Sequence, residues 1–339
     1  MAGSARSALA AAMALLCAAY LTAMQGQTDK KPADDGATIR AQVDMVSLPV
    51  VVTGRNGEYV TDLKKDDFRV YEDGVLQNVA AFAAVEEPIS VALVLDTSNS
   101  TESQLTRIKN EAVRFVRLLR KDDGVAIVSF ADQVTLWEHF DIYRRKNPDV
   151  IHRMKPGGLS AVYEAVWLTL EQVLKQEYGR KAMVLFSDGV DTRSDTVSKE
   201  ETLQLARETE ATIYCIYFKP VQNRNKPFPG ILRPMQDSSP RLLPPAQWPP
   251  IGGKGRPEDA AGFQYMMDLS KYSGGILVDA SRNDDLVSAF GRIARELSSQ
   301  YSLGYYPGNL RHDGRFHAVK VKIIRPGLTA RTKQGYFAF

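Results

Sequence analysis

The chain has 339 residues, with 43 Lys and Arg against 40 Asp and Glu, a formal charge of +3 with both signs interspersed. That balance argues against the basic stripe of a nucleic-acid binder or the polybasic patch of a membrane-surface protein. The composition, 44% hydrophobic and 24% charged, is that of a globular protein long enough for two domains.

The first stretch, "MAGSARSALAAAMALLCAAYLTAMQGQTDKK", has one early cation, Arg6, then an apolar run from Ala8 to Met24, then polar residues. This is the pattern of a secretory signal peptide over residues 1–27, with Thr22 and Ala23 as small residues near a cleavage point. The run is shorter than the roughly 20 residues of a spanning helix; an uncleaved anchor is the alternative. Leu16 before Cys17 fits a lipidation signal poorly. The expectation is export to the periplasm, cell surface or medium, without membrane insertion after cleavage. One cysteine then remains, Cys215 in "ATIYCIYF". With no internal disulfide, stability must come from core packing, and Cys215 reads as a small buried hydrophobe.

Residues 38–88 read as short strands. "ATIRAQVDMVSLPVVVTG" leads to an Asn-Gly turn, and "FRVYEDGVLQNVAAF" turns at Glu72-Asp73-Gly74. From residue 89 the texture changes. "ISVALVLD", "GVAIVSFA", "KAMVLFSDG" and "ATIYCIYF" are continuous apolar runs, the mark of strands covered on both faces. Helical patterns alternate with them, beginning with a stripe of Leu105, Ile108, Ala112, Phe115, Val116 and Leu119. "QVTLWEHF" reads as an edge strand, "LSAVYEAVWLTLEQVLKQEYG" as one helix ending at Gly179, and 263–272 as another helix. Such alternation predicts a doubly wound, mostly parallel sheet over 89–299 with helices on both faces. Residues 219–262 interrupt it with ten of the seventeen prolines, reading as an extended surface excursion. The tail, 300–339, returns to strands. Two isolated β fragments would each be marginal, so the tail is expected to pair with 38–88 in a sandwich-like module into which the α/β domain is inserted.

In "LVLDTSNST", Asp96, Ser98 and Ser100 stand at i, i+2 and i+4 where a buried strand ends, and in an extended segment they share one side. Ligands of open α/β sheets bind outside the carboxyl ends of the strands. "KPGGLSAVYEA" and "LFSDGVDT" should bring Ser160 and Asp188 to the same mouth. Three hydroxyls and two carboxylates, without imidazole or thiolate, suit a hard cation, Mg²⁺ in particular, with Mn²⁺ or Ca²⁺ as substitutes. Singly, each motif also reads as turn or helix-cap chemistry; together they favour the metal. Asp191 reads as a loop residue and Glu164 as a first-turn acid suited to the helix dipole.

The set D-x-S-x-S, a hydroxyl residue after Gly-Gly and S-D-G after a strand resembles the von Willebrand factor type A domain and its metal-ion-dependent adhesion site. The resemblance covers roughly 89–299. The flanks "VVVTGRNGEYVTDLKKDDFRVYEDG" and "YSLGYYPGNLRHDGRFHAVKVKI" are similar to bacterial exported proteins related to that family. It implies that Ser98, Ser100 and Ser160 contact the metal directly or in some states, that Asp96 and Asp188 act largely through bound waters, and that a partner protein supplies a carboxylate. The third loop departs from the usual Gly-Gly-Thr, with Leu159 before Ser160. No catalytic role is expected: the histidines (139, 152, 312, 317) are scattered, no metalloprotease motif or G-x-S-x-G elbow occurs, and the first strand lacks the glycines of a dinucleotide turn. A metal-dependent hydrolase and a structural module with a degenerate site remain the alternatives.

Overall fold

The computed structural model describes residues 45–141, 145–218, 257–281, 285–308 and 313–338. These belong to one compact unit, 43–339. The segment read as a signal peptide, Cys17 with it, and most of the proline-rich excursion lie outside the described residues.

Four strands come first, β1 (Val46–Thr53), β2 (Phe68–Glu72), β3 (Val75–Gln77) and β4 (Val79–Ala83). The α/β part follows with β5 (Ile89–Asp96), α1 (Leu105–Leu118), β6 (Gly124–Phe130), β7 (Val134–Glu138), α2 (Val162–Leu168), β8 (Arg180–Ser187), α3 (Lys199–Glu208), β9 (Thr212–Tyr217), α4 (Pro257–Ser273), β10 (Leu277–Asp279) and α5 (Asp285–Ser298). The chain closes with β11 (Gln300–Tyr305), β12 (Phe316–Ile323), β13 (Thr329–Arg331) and β14 (Gly335–Phe337).

The central sheet has the order β10-β9-β8-β5-β6-β7. All its pairings are parallel except β6–β7, which is antiparallel and leaves β7 at the edge. Every residue of β5, β6, β8 and β9 is buried, which explains their unbroken apolar runs. Because side chains alternate along a strand, β5 feeds two cores. Val91, Leu93 and Leu95 join Ile108 and Phe115 of α1 with Phe290 and Ile293 of α5. Ala92 and Val94 join Val166 of α2 with Met266 and Leu269 of α4.

Strands from the two chain ends form two further sheets, β13-β1-β11-β4 and β14-β12-β2-β3. Their shared core contains Leu48, Val50, Phe68, Val70, Tyr301, Leu303, Val319 and Val321. β1 runs antiparallel to β11, with Val46 opposite Tyr305, and β2 antiparallel to β12, with Val70 opposite Val321. Pro49 is tolerated in β1 because β13 covers only Val51–Thr53 on that side, leaving the missing N–H without a ladder partner to lose.

Both crossings into the α/β part are held by two arginines. Arg120 donates to Val85 O and, at 2.8 Å, to Ser298 O. Arg180 donates to Val85 O at 3.0 Å and Leu297 O at 2.6 Å. Burial, with Arg120 beside it, pushes the Arg180 guanidinium down to about 10. Glu296, fully buried near the end of α5, pairs with Arg331 of β13 and accepts from Tyr59 Oη at 2.9 Å.

Three local readings are corrected. The helix assigned up to Gly179 is α2 followed by a π-helical turn, Thr169–Leu174, where Lys175 N reaches back five residues to Leu170 O at 3.0 Å. Gly179, at φ +75°, instead shapes the turn into β8. The excursion ends before 262, because α4 starts at Pro257. Proline suits a first helical position, and Glu258 and Asp259 favour the helix dipole in the first turn. Finally, the extended backbone after Asp96 stops at Ser98; Ser100 lies in a 3₁₀ turn, Asn99–Gln104.

Removing one partner of a buried ion pair strands the other charge, a loss of about 3 kcal/mol or more. Arg331→Met is therefore expected to lose about that much in urea denaturation, and Arg331→Met/Glu296→Leu to recover most of it. A single-variant loss below about 0.5 kcal/mol, the surface range, would refute the pair's importance.

Candidate metal centre

β5 and β8 are neighbours in the middle of the sheet, where the strand order reverses direction, so the loops after them diverge and leave a crevice. Asp96, the last residue of β5, is fully buried. Its Oδ1 accepts from Ser98 N at 2.9 Å and Ser98 Oγ at 2.5 Å. Its Oδ2 accepts from Ser187 Oγ at 2.7 Å, with Ser160 Oγ at 3.5 Å, the outer limit of a hydrogen bond. Ser98 Oγ lies 3.2 Å from Ser100 Oγ. The 3₁₀ turn, not strand alternation, brings these two hydroxyls together.

The loops are tied to one another through the backbone. Asn99 N donates to Gly158 O at 3.1 Å and Gly157 N to Thr97 O at 2.9 Å, joining the first loop to the second. Ser160 N donates to Thr192 Oγ1 at 2.9 Å and Thr192 N to Ser160 O at 2.8 Å, joining the second to the third. Gly158 has φ +84°, and a Cβ there would lie 2.2 Å from Asp132 Oδ2. Asp132 in turn accepts from Leu159 N at 2.8 Å, so the Leu159 side chain stands half exposed beside Ser160. At Gly189, φ +72°, a Cβ would lie 2.4 Å from Gly262 O. The glycine of S-D-G thus lets α4 close on the third loop.

Asp96 thereby contacts Ser98 and Ser160 directly and Ser100 through Ser98. Asp188, largely buried, accepts from Val190 N at 3.1 Å, and its charge reaches Asp96. Burial first and Asp188 second push the Asp96 carboxyl up to about 6, against the hydroxyl and amide donors that pull it down. Such a donor set, all oxygen and rich in negative charge, fits a hard divalent cation. Asp96, Ser98, Ser100, Ser160 and Asp188 are the residues that could hold it.

Ser187 was missed by the sequence reading, although it stands in the quoted S-D-G. It donates to Asp96 and accepts from Gly189 N at 2.9 Å, coupling the two acid-bearing loops. Its signal was a serine ending an otherwise apolar strand. Asp191 accepts from Tyr163 N and Ser194 N, at 3.2 and 3.0 Å. Glu164 binds Asp195 N and Thr196 N, at 3.0 and 3.2 Å. Both acids organise the third loop.

Residues 90–227 match the family model for the von Willebrand factor type A domain. The match falls on the doubly wound part of the chain, from β5 to β9. Among solved structures the chain is similar to the BatB protein of Bacteroides thetaiotaomicron (17% identity over 62% of this chain and 97% of that one, TM-score 0.42). It is also similar to proximal thread matrix protein 1 of the mussel byssus, solved with a zinc-occupied metal-ion-dependent adhesion motif (17%, 67% and 49%, TM-score 0.44), and to a von Willebrand factor type A protein from Catenulispora acidiphila (11%, 87% and 73%, TM-score 0.45). The chain spans about half the length of the mussel protein. No curated protein matches.

A raised folded-state pKa on an acid means that folding takes up a proton. Without metal, the stability lost to Asp96 grows as pH rises from about 4, where the unfolded carboxyl ionises, to about 6. The loss reaches roughly 3 kcal/mol by pH 7. In chelator at pH 7, Asp96→Asn is expected to be at least as stable as the parent, and Mg²⁺ to raise the parent's melting temperature alone. A metal-free variant clearly less stable than the parent would contradict this.

Proposed function

We propose that this chain is an exported interaction module that captures an acidic group of a partner protein through Mg²⁺ held by Asp96, Ser98, Ser100, Ser160 and Asp188. The observation that carries the reading is the environment of Asp96. A wholly buried carboxylate, ringed by hydroxyls from two loops and the end of β8 and pressed by a second acid, is costly unless a cation compensates it. Neutral hydroxyl ligands leave the ion's charge only partly compensated. A carboxylate from outside then completes the octahedron with a directional contact.

Capture, not turnover, is the function the surroundings support. His139 and His317 make their ring contacts away from the site, with Phe140 O and Asp73, and burial pushes the Cys215 thiol up to about 12. A general base or thiolate nucleophile is thus not supplied by these groups. Export rests on the apolar run Ala8–Met24. Among the described residues no helix is long and apolar enough to cross a membrane.

The test is a Mg²⁺ titration of the metal-stripped chain, followed by retention on an immobilised glutamate-rich peptide. Ser98→Ala/Ser100→Ala is expected to weaken Mg²⁺ binding at least tenfold and to abolish retention, as chelator does for the parent. Equal Mg²⁺ affinity, or retention indifferent to chelator, would overturn the proposal; phosphoester turnover lost in Asp96→Ala would replace it with a hydrolase.

A further inference from the structure

Glu72 and Asp73 are neighbours and His317 lies 244 residues beyond Asp73, yet one ligand atom from each of the three falls within 4.8 Å of the others. The pairing of β2 with β12 brings them together. Glu72 ends β2 opposite Val319, and Asp73, at φ +48°, opens the turn to β3. His317 is the second residue of β12. His317 Nδ1 stands 2.8 Å from Asp73 Oδ2 and 3.9 Å from Glu72 Oε1. Ligands around a tetrahedral zinc ion with bonds of about 2.1 Å are roughly 3.4 Å apart, so these separations bracket that value.

We propose that Glu72, Asp73 and His317 form a second divalent-metal site, in the β module, of the imidazole-and-carboxylate type that takes Zn²⁺. Each ligand is oriented from behind by a group outside the triad. The Glu72 carboxylate, almost wholly buried, accepts from Tyr305 Oη at 2.5 Å and Tyr336 Oη at 3.0 Å, both on Oε2. That leaves Oε1 on the imidazole side, beyond hydrogen-bond range of Nδ1. Asp73 Oδ1 is held by Ala318 N at 2.9 Å, which turns Oδ2 toward the ring. Asp313 Oδ1 lies 3.4 Å from His317 Nε2 and Tyr336 stacks on the ring at 5.7 Å. A carboxylate on the far nitrogen of a ligating histidine fixes its tautomer and strengthens it as a donor. Here it directs the ligating lone pair to Nδ1, the nitrogen that faces both acids. Where the metal-free ring also carries a proton on Nδ1, shared with Asp73 Oδ2 at 2.8 Å, the metal takes that place and the proton leaves to solvent, with Nε2–H kept toward Asp313. The donor set includes nitrogen, unlike the oxygen-only centre at the strand ends, so the two sites are expected to differ in metal preference.

The experiment is equilibrium dialysis of the metal-stripped full chain against Zn²⁺, with the Ser98→Ala/Ser100→Ala background removing the strand-end centre. That background is expected to retain one Zn²⁺ per chain. His317→Gln or Asp73→Asn within it is expected to lower the affinity at least tenfold. In the unmutated chain, Zn²⁺ is expected to protect His317 from diethylpyrocarbonate at least fivefold, read by peptide mass spectrometry. That readout needs no variant to fold. Zinc uptake unaffected by either substitution, or His317 labelled equally with and without Zn²⁺, would overturn the site and leave the strand-end reading untouched.

Discussion

Asp96 is the constraint around which the α/β part is organised. It ends the central strand, it is wholly buried, and its two oxygens collect donors from the loop after β5 and from the last residue of β8, with the β7–α2 loop at their edge. A carboxylate in such a place disfavours its own ionisation unless something positive arrives. The surrounding hydroxyls soften that cost without cancelling it, since they are neutral and its neighbour Asp188 is not. The geometry that makes the bare site unfavourable is thus the geometry that the proposed cation would relieve.

Glycines at two points make this convergence sterically feasible. Gly158 admits Asp132 against the second loop, and Gly189 admits the backbone of α4 against the third. Neither position accepts a Cβ, because both have positive φ and a close neighbour. Loops built this way are tied through main-chain and side-chain bonds and need little rearrangement to present their oxygens. Preorganisation of that kind favours binding by lowering the ordering cost.

Much of the architecture was legible because burial writes itself into composition. Strands covered on both faces read as unbroken apolar runs, as in "ISVALVLD", and the α1 stripe appears intact in the first core. Asp96, Ser98 and Asp188 were legible because polar residues directly after such runs are conspicuous. Ser187 was less so, since a serine at a strand end is unremarkable until its partner is known. Two other features were out of reach for a different reason. The meeting of Glu72 and Asp73 with His317 depends on which strands pair, and a histidine among alternating residues carries no mark of what lies across the ladder. The arginines that hold both crossings look like ordinary surface cations; only the carbonyls facing them, 35 to 178 residues away, define their role. The start of α4 at Pro257 was masked by nine prolines before it, although the Pro-Glu-Asp opening is a helix signal.

The positions of Arg120 and Arg180 have a mechanical consequence. Both crossings into the α/β part lie at the amino ends of the parallel strands: β5 enters at Ile89, Arg180 begins β8, and α5 delivers the chain at Ser298 directly into β11. Asp96 stands at the opposite end, seven residue steps away along β5, or about 23 Å. A pull applied at Asp96 against the β module would therefore run lengthwise through the central strand. Parallel neighbours on both sides would bear it in shear across many hydrogen bonds at once, and the arginine clamps would be the first contacts to feel the load.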